Sequence, residues 1–245
     1  MHRFFVDIEN IKKDTIDVTG EDVNHISKVL RLRIGDSIVL CDGHGMDYYV
    51  SIEGMDKHEV RTRILSKEPS KTEPKINVVL YQGIPKSAKM DVIIQKCTEL
   101  GISQIVPVIN ARSVVKLSDE KDERKKVERW QRIALEAAKQ SQRGKVPKVE
   151  MPIAYEEALK NVAHLDLSVM PYELEKNNKL KNIIRGKIIN SIGIFIGPEG
   201  GYEDEEIYSA VERDIVPVTL GPRILRTETA GSTVLSCVMY ELDEM

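Results

Sequence analysis

Two stretches of this chain bring together residues suited to holding a ligand: GPEGG at 197–201 and LGPRILRTETAG at 220–231. The first follows the apolar run IGIFIG at 192–197 and leads into YEDEEIYSAVER, which reads as strand, tight turn and helix. Such a turn sets glycines and backbone N–H groups at the carboxyl end of a strand, where α/β sheets bind ligands. Charge narrows the ligand class. A phosphate cradle presents bare N–H groups and usually a lysine, whereas Glu199, Glu203, Asp204, Glu205 and Glu206 crowd this turn and the first helical turn. Those carboxylates suit the positive end of a helix and would repel a triphosphate, so a neutral or cationic ligand fits better. No G-x-G-x-x-G follows a strand, which disfavours a dinucleotide site. In the second stretch Gly221 and Pro222 make a turn, and Arg223, Arg226 and Glu228 stand beside two threonines ahead of the last helix. The plain structural alternatives are a generic glycine turn, and a loop capped by Thr227 or Thr229.

The elements that must carry these loops fall into two groups. Short alternating or apolar runs at 3–7, 15–19, 37–42, 48–53 and 60–66, punctuated by glycines, predict strands, with one helix over 21–30. A small β-barrel with a single helix fits. The segment SKEPSKTEPK at 66–75 combines two prolines with alternating charge and reads as an extended linker. Beyond it, nearly continuous β-branched runs at 76–83, 104–109, 165–170, 192–197 and 216–221 predict parallel strands covered on both faces. Helices are expected over 87–100, 119–142, 155–163, 174–185, 203–213 and 227–241. The fold class is therefore α/β, with about five or six strands in the larger domain.

Composition sets limits. The 245 residues carry a net charge of -3, with 41% hydrophobic and 31% charged residues and no long apolar run. That describes a soluble globular protein without a transmembrane helix. The opening MHRFFVDIEN has no signal-peptide pattern, so a cytoplasmic location is expected. Residues 1–75 hold 12 Lys/Arg against 14 Asp/Glu, which means that any nucleic-acid contact must be a local patch. Three cysteines and five histidines lie scattered, with no zinc or disulfide spacing, and no metal is expected.

Further motifs then stand in order: HRFF at 2–5, HISKVLRLRIGD at 25–36, KSAKMDVIIQKCTELGISQIVPVINARS at 86–113, and Trp130 followed by ALEAAKQSQRGKVP at 134–147. With the two loops, they make nearly the whole chain resemble the RsmE family, SPOUT-class methyltransferases that modify N3 of a uridine in small-subunit ribosomal RNA. The resemblance implies a PUA-like β-barrel over 1–70 that binds RNA. It also implies a SPOUT methyltransferase domain over 74–245 with a parallel sheet and a deep trefoil knot. The rules of chain connection exclude knots outside rare folds, so the knot comes from the resemblance alone.

It further implies a homodimer, S-adenosyl-L-methionine as cofactor, and 16S rRNA within the 30S subunit as partner, with neither membrane nor metal. Carried over by position, the cofactor pocket involves Met170, Ile196, Gly197, Gly200, Leu220, Gly221, Ile224, Leu225 and Arg226. Glu228 or Glu136 is expected to take the uracil proton, directly or through water. Arg226, with Arg112 and Arg143, is expected to hold the target nucleotide or its flanking phosphates. Arg3, Lys28, Arg31 and Arg33 form the expected RNA patch of the barrel. Competing readings are a non-catalytic ribosome-assembly factor and a related enzyme acting on transfer RNA or a ribose hydroxyl.

Overall fold

The computed structural model describes residues 1–113 and 120–245. The chain divides into two compact units, one of residues 1–73 with 138–146, the other of 74–137 with 147–245.

In the first unit, strands β1 (Arg3–Phe5), β2 (Thr15–Thr19), β3 (Ser37–Cys41), β4 (Met46–Met55) and β5 (Glu59–Pro69) form one sheet of order β1-β3-β4-β5-β2. All pairings are antiparallel except β1 with β3. Alternation places Ile16, Val18, Val50, Ile52 and Val60 inside, against Val23 and Ile26. The latter two come from the expected helix, which is α1 (Glu21–Asn24) followed by a π turn over His25–Val29. Register shifts between Tyr49 and Val50 and between Ile52 and Gly54 mark irregularities where β4 can bend.

Two expectations change here. Residues 66–69 of the presumed linker continue β5 opposite β4, with Glu68 beside Asp47, and Pro69 sits at the strand's last position, where a missing N–H costs least. Residues 138–146, expected within the second domain, pack in the first unit instead. The Glu73 carboxylate accepts hydrogen bonds from Arg143 Nη2 (2.7 Å), Gly144 N (2.8 Å) and Lys145 N (3.0 Å), and the Cys41 thiol donates to Gly144 O (3.0 Å).

Among the described residues the second unit holds seven strands, every pairing parallel: β6 (Asn77–Gly83), β7 (Gln104–Ile109), β8 (Lys148–Val149), β9 (Ile153–Ala154), β10 (Leu167–Pro171), β11 (Ser191–Ile196) and β12 (Ile215–Val218). Their order is β12-β10-β11-β6-β7-β8, and β9 also pairs with β7. The short β8 and β9 escape the apolar-run signal. The helices are α2 (Lys89–Glu99), α3 (Glu120–Gln140), α4 (Tyr155–Lys160), α5 (Leu180–Ile184), α6 (Asp204–Val211) and α7 (Thr227–Glu241). Asp119, the first residue of the helix expected over 119–142, lies outside the described residues.

The helix expected over 174–185 shrinks to α5. Ahead of it Glu175 accepts the backbone N–H groups of Asn177 (2.6 Å) and Asn178 (3.0 Å), a local alternative to helical bonding. Last in the chain, α7 leaves the edge strand β12 and packs back on β6 and β11. Gly231 lies against Leu80 and Ile196, and Val234, Leu235, Val238 and Met239 are fully buried.

Candidate active site

The carboxyl ends of β10, β11 and β12 open into a cleft of about 1260 Å³, larger than most small-molecule pockets. Ile196, Gly197, Gly200, Leu220, Gly221, Ile224, Leu225 and Arg226 all line it, as does Glu228. Met170 does not. Its side chain is wholly buried in the core with Tyr81 and Phe195, because the neighbouring Pro171 and Tyr172 take the cleft positions at the end of β10. Leu180, Ile184, Ile196, Leu225 and Ala230 supply apolar surface, whereas Ile224 is 85% exposed.

Three of the five carboxylates that crowd the GPEGG turn, Glu199, Glu203 and Glu206, have separate jobs. Glu203 is the N-cap of α6 and forms a capping box with Glu206, whose Oε2 accepts the Glu203 N–H at 2.9 Å. Glu206 is itself buried, its Oε1 accepting from Asn110 Nδ2 (3.2 Å) and Ala111 N (3.1 Å). Arg112 grips Glu203 through Nε (2.8 Å) and Nη2 (2.9 Å) and donates from Nη1 to Gly200 O (2.8 Å). It thereby ties the glycine turn to the start of α6. The turn closes through Gly201 N to Pro198 O (3.0 Å), with Gly201 at φ +69°, a conformation that favours glycine.

Glu199 plays no part in the helix; the helix-capping role expected from sequence belongs to Glu203. Glu199 accepts the Lys86 N–H (3.1 and 3.3 Å) and pairs with Lys89 Nζ at 3.0 Å, and the same ammonium lies 3.5 Å from Glu228 Oε2. Burial disfavours the Glu199 carboxylate, but hydrogen bonds from Lys89 and backbone N–H groups, with the Lys89 charge, outweigh it and hold the carboxyl below its usual range. Lys89 is raised, chiefly by its hydrogen bond to Glu199.

The second loop is anchored by Thr227, the first residue of α7. Arg226 is the N-cap and makes no side-chain cap bond. The Thr227 hydroxyl, expected as a possible cap, instead donates to Gly197 O (2.7 Å) and accepts from Gln82 Nε2 (2.9 Å). Gln82 is fully buried at the end of β6 and also donates to Gly83 O (2.9 Å). One hydroxyl thus joins the ends of β6 and β11 to the start of α7. At Gly221, φ of +110° lets the loop turn.

Several expected residues stand elsewhere. Glu136 is exposed on α3 and does not line the cleft. Arg143 is buried against Glu73, and Arg112 is committed to Glu203 and Gly200. Arg3 is mostly buried, paired with Asp47 and donating to Ser70 Oγ (3.0 Å) and Gln142 O. None of these three guanidinium groups is presented freely to a phosphate. Lys28, Arg31 and Arg33 are exposed. Gln82 and Lys89 went unnoticed because nothing in the local sequence pairs them with positions over a hundred residues away. Among the described residues there is no group of three or more His, Cys, Asp or Glu placed to hold a metal.

The pattern of an RNA methyltransferase domain matches residues 72–239, and that of an RNA methyltransferase PUA domain matches 18–65. Fold and cleft together therefore define a methyltransferase of the RNA-modifying class. The ribosomal RNA small subunit methyltransferase E of Bacillus subtilis is 36% identical, over 99% of this chain and 98% of its own length. That of Mesomycoplasma hyopneumoniae is 35% identical over 96% of this chain and 98% of its own. The chain belongs to the ribosomal RNA small subunit methyltransferase E family. A crystal structure of the Neisseria gonorrhoeae member, bound to S-adenosyl methionine, matches with a TM-score of 0.84 at 34% identity, over 98% of this chain and 97% of that one. A Legionella pneumophila methyltransferase in complex with the same cofactor matches with a TM-score of 0.82 at 30% identity, over 97% and 96%.

Proposed function

We propose that this chain methylates N3 of a uridine in 16S rRNA, acting on the assembled 30S subunit with S-adenosyl-L-methionine bound in the cleft. The observation that carries the reading is the cleft itself, formed by 197–201 and 219–230 at the ends of three parallel strands. Its chemistry fits the cofactor. Apolar side chains and exposed main chain suit an adenosine, and the carboxylates Glu199 and Glu228 suit a cationic ligand better than a polyphosphate. When bound, the cofactor supplies an electrophilic methyl group on a sulfonium.

The chain's own residues then have distinct tasks. Gly197, Gly200, Gly221 and Leu220 give backbone access, while Ile196, Leu225 and Ala230 keep water from the apolar part of the ligand. Lys89 holds Glu199 and Glu228 in place from the amino end of α2. Glu228 accepts the N3 proton of the uracil, directly or through water, and Arg226, at the N-cap of α7, holds the nucleotide. Glu136 drops out of this scheme because it does not line the cleft.

The homodimer, the trefoil knot and a cytoplasmic location belong to the same reading. A knotted C-terminal segment would have to follow the path that α7 takes, from edge strand β12 back onto β6 and β11. The division into two units supports a PUA-like RNA-binding domain in residues 1–70 and a methyltransferase domain in 74–245, with 138–146 joined to the former.

Mass spectrometry of 16S rRNA from cells with and without the gene, followed by restoration with the purified protein and 30S subunits, tests the proposal. Loss and recovery of a single N3-methyluridine is expected; an unchanged RNA overturns it. Glu228→Gln should lose turnover while keeping cofactor affinity, and wild-type turnover in that variant removes the base role.

A further inference from the structure

The arginines expected to hold RNA beside the cleft, Arg112 and Arg143, are both committed to carboxylates, yet the cleft has a different cationic edge. Lys176, Lys179 and Lys181 lie on the loop after β10 and at the start of α5, and Arg223 and Arg226 on the loop after β12. All five line the cleft and all are exposed. Among the described residues none of them forms an ion pair.

The two loops make one edge. Thr219 N donates to Asn178 O at 2.8 Å, Tyr172 N donates to Val218 O at 3.0 Å, and Lys179 pairs with Thr219 in an isolated parallel bridge. Of the carboxylates that line the cleft, Glu173 on the loop after β10 is exposed and, among the described residues, forms no ion pair; the others have partners of their own. Glu175 accepts the N–H groups of Asn177 and Asn178, Glu199 and Glu228 face Lys89, and Glu241 lies 3.6 Å from Arg185. In a chain whose net charge is -3, five cations without an ion-pair partner among the described residues are a local concentration along one edge. Ile224, 85% exposed between the two arginines, adds an apolar tip of the kind that packs against an unstacked base.

We propose that this edge docks the RNA backbone around the target nucleotide. The lysines of 176–181 hold flanking phosphates on one side of the cleft mouth, and Arg223 holds them on the other, next to Arg226 at the target nucleotide. The inference deepens the proposed function and rests on RNA being the substrate.

The test is the triple variant Lys176→Gln, Lys179→Gln, Lys181→Gln in the full-length protein, compared with wild type for binding to 30S subunits across a salt series. Three lost contacts should reduce the slope of log affinity against log salt by about 2, since each single-strand phosphate contact contributes about 0.7. Affinity near 0.1 M salt should fall at least tenfold. Cofactor affinity by calorimetry should stay within twofold, sedimentation should show the same oligomeric state, and the triple Lys→Arg variant should restore the slope.

An unchanged slope overturns the proposal. Loss of cofactor binding would assign the lysines to the cofactor, and a changed oligomeric state would make the edge a contact between copies of the chain; either also overturns it. Failure of the wild-type protein to methylate 30S subunits is a separate outcome, and it strikes the proposed function itself.

Discussion

Replacing Thr227 with valine isolates the hydroxyl that joins the two halves of the cleft. Valine keeps the shape of threonine but removes the donor to Gly197 O and the acceptor for Gln82 Nε2. Gln82 retains its bond to Gly83 O, so the main loss is a well-partnered carbonyl at a position where Thr227 is only 7% exposed. Two hydrogen bonds at about 1 kcal/mol each, with a desolvated acceptor left behind, come to about 2–3 kcal/mol. Thr227→Ser keeps both bonds and loses one methyl group, about 0.8 kcal/mol. The order of stability should be wild type, then serine, then valine, with the valine variant melting about 4–10 °C below wild type.

Calorimetry should also give Thr227→Val the weaker cofactor affinity of the two, because Gly197 belongs to the turn that forms the cleft. In a double-mutant cycle, Gln82→Met combined with Thr227→Val should cost about 1 kcal/mol less than the sum of the singles, since the valine then no longer leaves a Gln82 N–H unpaired, although Gly197 O still lacks its donor. A valine variant as stable as the serine one would refute the role given to this hydroxyl.

Other consequences can be measured on the same protein. Arg143→Met leaves the buried Glu73 carboxylate without its guanidinium and should cost about 3–5 kcal/mol in thermal unfolding of the intact chain; Arg143→Met with Glu73→Met should recover part of it. Because the folded state holds Glu199 below its ordinary value, its stabilising contribution is present above about pH 4.3 and is lost as the pH falls through that lower folded value. The stability gap between wild type and Glu199→Gln should therefore close on acidification, and a constant gap from pH 7 to pH 3 would contradict it. Burial pushes the Cys97 thiol up to about 12 and Cys41 up to about 11, whereas Cys237 is exposed on the cleft wall. One thiol per chain should react with a maleimide at neutral pH, and S-adenosylhomocysteine should slow that reaction. Labelling of Cys41 or Cys97 in the native protein would count against their burial.

The sequence by itself determined the two kinds of layer. Period-two alternation up to residue 66 and continuous apolar runs after 76 follow from how a strand buries one face or both, and they match β2 to β5 and the long strands of the parallel sheet. It also marked 197–201 and 220–231 as candidate ligand loops, since glycines and acidic residues beside strand ends are local features. Eight of the nine expected cofactor positions line the cleft; Met170 does not, because alternation at the last residues of β10 turns its side chain into the core.

Only the tertiary structure decided which charges were free. Arg143 finds Glu73 across 70 positions, Arg112 finds Glu203 across 91, and Glu199 meets the Lys86 backbone across 113. A charge in sequence carries no sign of its partner, because ion pairing depends on where the chain returns in space and not on period or spacing. For the same reason Lys176, Lys179 and Lys181, which look like any solvated lysines in the sequence, stand as the unpaired edge of the cleft once the loops after β10 and β12 are brought side by side.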